Sequence, residues 1–299
     1  MKTTLAILIV LFLAVAGSAR ATIVYSNSFN SSADWTKNTP SNWYQVNFNS
    51  GGGGKARIRN SGTHTGTNSA DRWACFYKTV PLAATNEFDP LLDNSTWPIV
   101  WSLVFNNAFG SSWSTVLTGN VVNGGAEAHG FVIGATSPDF RNAGNGYALV
   151  QMDGLDGGNQ SALHFIRYTG GLIGSVTSLL TWTAADAVGL DNIGGAQCAM
   201  KLIFDPGSGQ WTLAARTGMA GSYNDWFTNP LVIAYLPAET KSIVDTMHTG
   251  ESLGDIGMFL SNDENVPQVY IDNLLIQTIP EPVTAVGGAV VLLALARRR

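Results

Sequence analysis

The sequence predicts an all-β chain, a two-sheet antiparallel β-sandwich of the jelly-roll kind, with a short apolar helix at each end. Three observations predict it. Short runs rich in Val, Ile, Phe, Tyr and Trp recur along residues 22–279, each followed by Gly, Asn, Asp, Ser or Pro. The 299 residues include 33 glycines, and only 12% are charged against about 25% in ordinary domains. Helical signals in this stretch are confined to two short segments, Thr183–Val188 and Thr240–His248, the second with Thr240 as a candidate cap.

The predicted strands run in order as Thr22–Phe29, Trp43–Phe48, Ala56–Arg59, Trp73–Val80, Ile99–Phe105, Ser114–Thr118, Gly130–Ala135 and Tyr147–Met152. Leu163–Tyr168, Met200–Phe204, Trp211–Arg216, Leu231–Tyr235, Ile256–Leu260 and Val269–Thr278 follow. The clearest hairpin is MKLIFDPGSGQWTLAAR, where Asp205-Pro206-Gly207-Ser208-Gly209 supplies strong turn chemistry between two apolar runs. A second pair joins GYALVQM to LHFIRY. Many strands and almost no helix argue for a sandwich or jelly roll. Residues 22–279 suit one large domain, and Gly51–Gly54 reads as a loop because strand-like sequence lies on both sides.

Charge excludes some functions. Lys plus Arg is 16 and Asp plus Glu is 21. Lys2, Arg20, Arg297, Arg298 and Arg299 lie at the ends, so residues 22–282 hold 16 − 5 = 11 cations against 21 acids. A nucleic-acid binder needs a basic face, and a protein held by anionic lipid needs a polybasic segment. This interior has the opposite balance.

The ends read as addresses. Residues 1–21, MKTTLAILIVLFLAVAGSARA, pair Lys2 with an unbroken apolar run from Leu5 to Ala16 and a small-x-small site at Ala19-Arg20-Ala21. This is the pattern of a secretory signal peptide cleaved between Ala21 and Thr22. At the other end, Val283–Ala296 carries no charge and precedes three arginines. An apolar segment closed by basic residues reads as a transmembrane helix with a cytoplasmic tail. Its fourteen residues span about 21 Å as a helix, which is short for a bilayer. Pro280 and Pro282 separate it from the folded domain.

Pro280-Glu281-Pro282, the hydrophobic segment and the terminal Arg297-Arg298-Arg299 together resemble the PEP-CTERM sorting signal. The resemblance covers residues 280–299. It implies export in a Gram-negative bacterium and transient anchoring in the inner membrane. An exosortase, a membrane cysteine protease, would be the partner that removes the tail. The destination would be the cell surface or the extracellular matrix.

The central strands carry a second resemblance. An opening SNSFNSSADW, the run GYALVQ, LHFIRYTGGL, KLIFDPGSGQWTLAAR and a closing IDNLLIQ are similar to the concanavalin A-like lectin/glucanase sandwich, in the sense of laminin-G-type domains. The motif match covers 147–216 and the architecture 22–279. It implies a fold that hosts carbohydrate binding, with extracellular polysaccharide as the expected ligand class.

Chemistry-bearing residues are sparse. Cys75 and Cys198 lie in strand-like segments, and an exported chain meets an oxidising compartment, so a Cys75–Cys198 disulfide is an expectation beside two free thiols. The histidines, His64, His129, His164 and His248, show no metal or protease spacing. His164 alternates with Leu163 and Phe165 and is expected on one sheet face beside Ile166 and Tyr168, as a half-buried surface residue. A glycosidase needs two carboxylates across the scissile bond. The Glu-x-Asp-x-x-Glu type of run that would supply them is absent, and Asp153, Asp156, Asp263, Glu264 and Asp272 fall in turns or at strand ends. Asp153-x-x-Asp156-x-x-Asn159, Asp263-Glu264-Asn265 and Asp272-Asn273 offer hard oxygen ligands, so a structural calcium is the one cofactor entertained, with Asx turn capping as the alternative. Trp35, Trp43, Trp113, Trp182, Trp226 and Tyr223 stand in polar surroundings that suit stacking on sugar rings, while Trp101 and Trp211 read as core.

The expectation is therefore a non-catalytic, exported surface or matrix protein that binds polysaccharide. A glycoside hydrolase or polysaccharide lyase on the same scaffold, and a purely structural surface protein, stand as alternatives.

Overall fold

A computed structural model describes residues 22–39, 44–49, 54–60, 73–80, 98–107, 128–153, 161–182, 197–217, 240–248, 251–261 and 268–278. The described residues contain fifteen strands and no helix. In chain order they are β1 (Thr22–Asn27), β2 (Thr36–Asn38), β3 (Tyr44–Asn47), β4 (Ala56–Asn60) and β5 (Trp73–Thr79). Then come β6 (Ile99–Asn107), β7 (Ala128–Ala135), β8 (Asn145–Asp153), β9 (Ser161–Thr169) and β10 (Ser175–Trp182). The last are β11 (Gln197–Asp205), β12 (Gln210–Thr217), β13 (Thr240–Val244), β14 (Asp255–Ser261) and β15 (Gln268–Thr278).

They form two wholly antiparallel sheets. The first has the order β13-β12-β11-β6-β15-β4-β3, with β1 sharing the β4 side of β15; the second has the order β10-β9-β8-β7-β14-β5-β2. Alternation decides what each strand buries. Met200, Leu202 and Phe204 of β11 meet Ala74 and Phe76 of β5 in one continuous core between the sheets. Trp211 sits at the centre of an aromatic stack, 4.4 Å from Phe204, 4.7 Å from Tyr147 and 5.0 Å from Phe165 between ring centroids. Such tilted pairs add about 0.5–1.5 kcal/mol each beyond the area they bury.

The second sheet is apolar on its other face too. Trp73, Cys75, Val132, Val150, Ile166, Tyr168 and Phe259 form a separate buried cluster there, joined by Phe140 and Leu172 from the adjoining turns. Both faces being buried explains why β14 is buried at all seven positions.

The DPGSG hairpin forms as its sequence dictates. Asp205 accepts hydrogen bonds from the Gly207 amide (3.0 Å) and the Ser208 hydroxyl (2.6 Å), and Gly209 takes φ +67, which favours glycine. The pair β8–β9 is likewise a hairpin.

Four sequence expectations change. The segment Thr240–His248 is not helical: Thr240–Val244 pairs with β12 as an edge strand and a turn follows. Its β-branched Thr240, Ile243 and Val244 suit the pleat, and Ile243 packs against the core. Three strands, β2, β10 and β13, had no expected counterpart. Cys75 is a free thiol, buried on the face of the second sheet that looks away from the first, whereas Cys198 belongs to β11 of the first sheet, so the Cys75–Cys198 disulfide is not formed. Trp35 belongs to the core rather than a polar surface, 5.1 Å from Phe76 and 5.4 Å from Phe29.

The expected strands Ser114–Thr118 and Leu231–Tyr235, the expected helix Thr183–Val188, the signal segment 1–21 and the sorting segment 280–299 lie outside the described residues. Among the described residues no helix is long and apolar enough to cross a membrane.

Candidate functional site

Strand registers define two poles. At one pole the second sheet ends in a row: Trp182 of β10 faces Leu163 of β9, Asp153 of β8 faces Ser161 of β9, and Ala128 of β7 faces Met152 of β8 and Ser261 of β14. Ser261 in turn faces Trp73 of β5. The first sheet ends on the same side. Its β11 starts beside Asn106, which faces Tyr270 of β15, and β12 ends at Thr217 opposite Cys198. The connections 39–43, 61–72, 108–127, 154–160, 183–196, 218–239 and 262–267 all leave and rejoin strands at this pole. Seven connections also meet at the other pole, but only 80–98 of them is longer than ten residues, against 61–72, 108–127, 183–196 and 218–239 at this one.

Next to the connection pole, on the outer face of the second sheet, lies His164. Its Nδ1 is 3.0 Å from the Ser178 hydroxyl and 3.2 Å from that of Thr181. Its Nε2 is buried without a hydrogen-bond partner. Burial pushes the imidazole down to about 4, so the ring is neutral near pH 7. His164 thus shares a face with Ile166 and Tyr168, as alternation predicts, but it is fully buried rather than half-exposed. Trp73 and Phe259 stack at 4.9 Å on the same face.

The opposite pole is closed by a polar network. The segment after β13 crosses from the first sheet to the second. Its Asp245 accepts from the Tyr147 hydroxyl (2.7 Å) and pairs with Arg167, and the Asp245 carbonyl accepts from the Trp211 indole (3.2 Å). Burial and the neighbouring carboxylate push the Tyr147 hydroxyl pKa far up. His248 lies between two acceptors, the Glu251 carboxylate at 2.8 Å from Nδ1 and the Tyr168 carbonyl at 3.1 Å from Nε2. Asn145 donates to the other oxygen of Glu251 at 2.6 Å. These bonds hold Glu251 below the ordinary carboxylate range against the cost of burial. Nothing in the sequence spacing points to this network, because the bonds that join Tyr147, Arg167 and Asn145 to Asp245 and Glu251 span 78–106 residues.

Other acids among the described residues have partners as well. Asp255 accepts from the Thr79 hydroxyl, and Asp139 holds the amides of Asn142. Asp272 accepts from the Asn273 amide at 2.8 Å, where Asn273 has φ +52 at a bulge in β15. Burial raises the Asp272 carboxyl, with the Asn273 amide and Lys55 acting in the opposite sense. Lys55 therefore adds a positive charge near the Asp272-Asn273 pair. Among the described residues no group of three or more His, Cys, Asp or Glu side chains is placed to hold a metal ion.

Asp153 ends β8 at the connection pole. Asp156, Asn159, Asp263, Glu264, His64, Trp43, Trp113, Trp226 and Tyr223 lie outside the described residues. Trp101 and Trp211 are core, as expected, and stack on each other at 5.9 Å. His129 is buried in β7.

No family model matches the sequence, and no curated protein matches it. Solved structures resemble the fold. A legume lectin-like domain from Entamoeba histolytica is 8% identical, with 85% of this chain and 97% of that one covered at TM-score 0.48. The Bauhinia forficata lectin in complex with GalNAc is 12% identical, covering 85% and 97% at TM-score 0.42. A carbohydrate esterase from Shiga toxin-encoding bacteriophage phi24B is 11% identical, covering 87% and 100% at TM-score 0.43. At these scores none of the three decides what this chain binds. The class established by the strands themselves is an all-β sandwich of two antiparallel sheets.

Proposed function

We propose that this chain is an exported, non-catalytic surface or matrix protein that binds polysaccharide at the connection pole of a concanavalin A-like sandwich. The observation that carries the reading is the gathering of four of the five connections longer than ten residues at one end of two rigid sheets. Loops set on a rigid scaffold are where binding residues concentrate. The sequences of these connections are rich in Asn, Asp, Ser, Thr and Gly, and they contain Trp43, Trp113, Tyr223 and Trp226. Hydroxyl-bearing polymers are held by that chemistry: amides, carboxylates and hydroxyls bond to sugar hydroxyls, and aromatic rings pack on sugar C–H faces. Core positions took Trp35, Trp101 and Trp211 instead, while Trp43, Trp113, Tyr223 and Trp226 belong to connections that leave and rejoin strands at this pole.

The terminal segments support the address. Lys2, the apolar run 5–16 and Ala19-Arg20-Ala21 read as export, and Pro280-Glu281-Pro282 with the apolar tail and three arginines reads as sorting by an exosortase. The chain would be anchored in the inner membrane first and released to the cell surface or matrix after its tail is removed.

Two measurements test the proposal. The full-length chain should be retained by a panel of immobilised polysaccharides above an inert control sandwich, and Trp113→Ala with Trp226→Ala should lower that retention by tenfold or more. Equal retention by the control sinks the binding claim. Mass spectrometry of protein recovered from its native host should show Thr22 at the N-terminus and no residues 283–299. Intact Arg299 in surface-fractionated material defeats the processing claim.

A further inference from the structure

Three of the eleven cations in residues 22–282 fall within five positions of one strand. They are Lys55, at its entry, and Arg57 and Arg59 in β4. Ala56 and Ile58 between them are buried in the core, so alternation puts all three cations on the outer face of the first sheet, each half-buried. Consecutive members of this row are about 6.8 Å apart along an extended strand.

The two arginines of the row lack acids across from them. Lys55 has Asp272 beside it. The cross-strand neighbours of Arg57 are Asn47 and Tyr270, and those of Arg59 are Gln45 and Gln268, none of them an acid. The Nε atoms of both arginines are buried and have no hydrogen-bond partner. A buried donor left unpaired costs about 1–3 kcal/mol. Two such donors side by side, in a domain with twice as many acids as cations, are unexplained by the fold itself.

We infer that the Lys55–Arg57–Arg59 row is a binding strip for an extended polyanion, a carboxylate-bearing polysaccharide. A guanidinium presents a planar fork that matches a carboxylate, and it is the better choice than an ammonium for that geometry. The amides of Gln45 and Asn47 on edge strand β3 lie alongside the row, where sugar hydroxyls would fall. Charge complementarity selects a polymer with repeated negative groups over a neutral one. A membrane surface fits less well. The exposed large apolar side chains among the described residues are Ile173, Val244 and Met247. Val244 stands on β13 at the opposite edge of this sheet, and Ile173 and Met247 lie in the turns after β9 and β13, so among the described residues no apolar anchor accompanies the strip. Nucleic acid is disfavoured by the net negative charge of the domain.

This strip is distinct from the connection pole, and its test separates the two. The full-length chain is passed over immobilised polygalacturonate, over neutral dextran and over vesicles containing phosphatidylglycerol, at rising salt. Retention on polygalacturonate should weaken with salt with a log–log slope of about −2, as expected when two to three cations meet a polyanion. Arg57→Gln with Arg59→Gln should lose tenfold or more of that retention and leave any dextran retention unchanged. Thermal melting of the same variant should be no lower than that of the parent, which shows that it folds. Salt-insensitive retention, or an unchanged double variant, overturns the inference. Stronger retention on the vesicles than on polygalacturonate overturns it as well, in favour of a lipid surface. Loss of dextran retention in the Trp113/Trp226 variant alone bears on the pole and leaves the strip standing.

Discussion

Replacing Asp245 by alanine tests the reasoning about the closed pole most directly. Asp245 has a side chain only 6% exposed, and its partner Arg167 is 18% exposed. It accepts from Tyr147 and from the Met247 amide, and it fixes the turn by which the chain changes sheets. Removing one member of a buried ion pair typically costs 3–5 kcal/mol, because the survivor stays buried and uncompensated. Arg167 keeps some contact with water, so the low end applies, about 3 kcal/mol. In a domain of this size each kcal/mol moves the melting midpoint by roughly 2–4 °C, giving a fall of roughly 6–12 °C. Asp245→Asn keeps an oxygen for Tyr147 and loses only the charge, so it should fall by about half as much.

The assays are thermal unfolding, for the midpoint, and urea unfolding, for the free energies, of the full-length chain followed by tryptophan fluorescence, since Trp211 packs on Tyr147 and donates to the Asp245 carbonyl. Arg167→Met combined with Asp245→Asn closes a double-mutant cycle. A coupling of about 1 kcal/mol or more is expected for groups in one network. A midpoint for Asp245→Ala within 1 °C of the parent, or strictly additive single changes, would falsify the view that this pair holds the crossover in place.

Other predictions follow from the same structure. Burial pushes the Cys75 thiol up to about 12, so a thiol reagent at pH 8 should leave it unreacted in the native protein and label it within minutes in denaturant; rapid native labelling refutes its placement. His164 is neutral and buried with its pKa lowered to about 4. The unfolded ring binds a proton below about 6.5, so His164 costs stability as pH falls from 6.5 towards 4, by at most about 3 kcal/mol; His164→Leu should flatten denaturation midpoints over that window. Glu251 has the opposite sense: its lowered carboxyl contributes stability above the ordinary carboxylate range and loses it as pH falls below that range, so Glu251→Gln should flatten only the acid end. Gly130→Ala should cost about 1–3 kcal/mol or more, because a Cβ there would lie 2.4 Å from the Leu149 carbonyl and 2.9 Å from the Phe259 ring; an unchanged melting midpoint excludes that close approach.

What the sequence could show and what it could not divide along physical lines. Segments that alternate or run apolar, such as Ile99–Phe105 and Val269–Thr278, became β6 and β15 with their ends moved by a residue or two. Strand β10 escaped because Leu179 and Leu180 adjoin at a bulge, which breaks the period of two on an otherwise polar edge. Strand β2 escaped because all three of its residues are exposed, so it carries no burial pattern at all. The polar network escaped for a different reason. Tyr147, Arg167, Asp245 and Glu251 meet only because β8, β9 and the crossover after β13 end at one pole, and no local pattern encodes that meeting. The Lys55–Arg57–Arg59 row is the reverse case. Its spacing of two is visible in KARIR, yet it means a shared face only once Ala56 and Ile58 are known to be core. A chain whose cations are few has little reason to set Arg57 and Arg59 on one face with no acid across from either of them unless something negative lies over them.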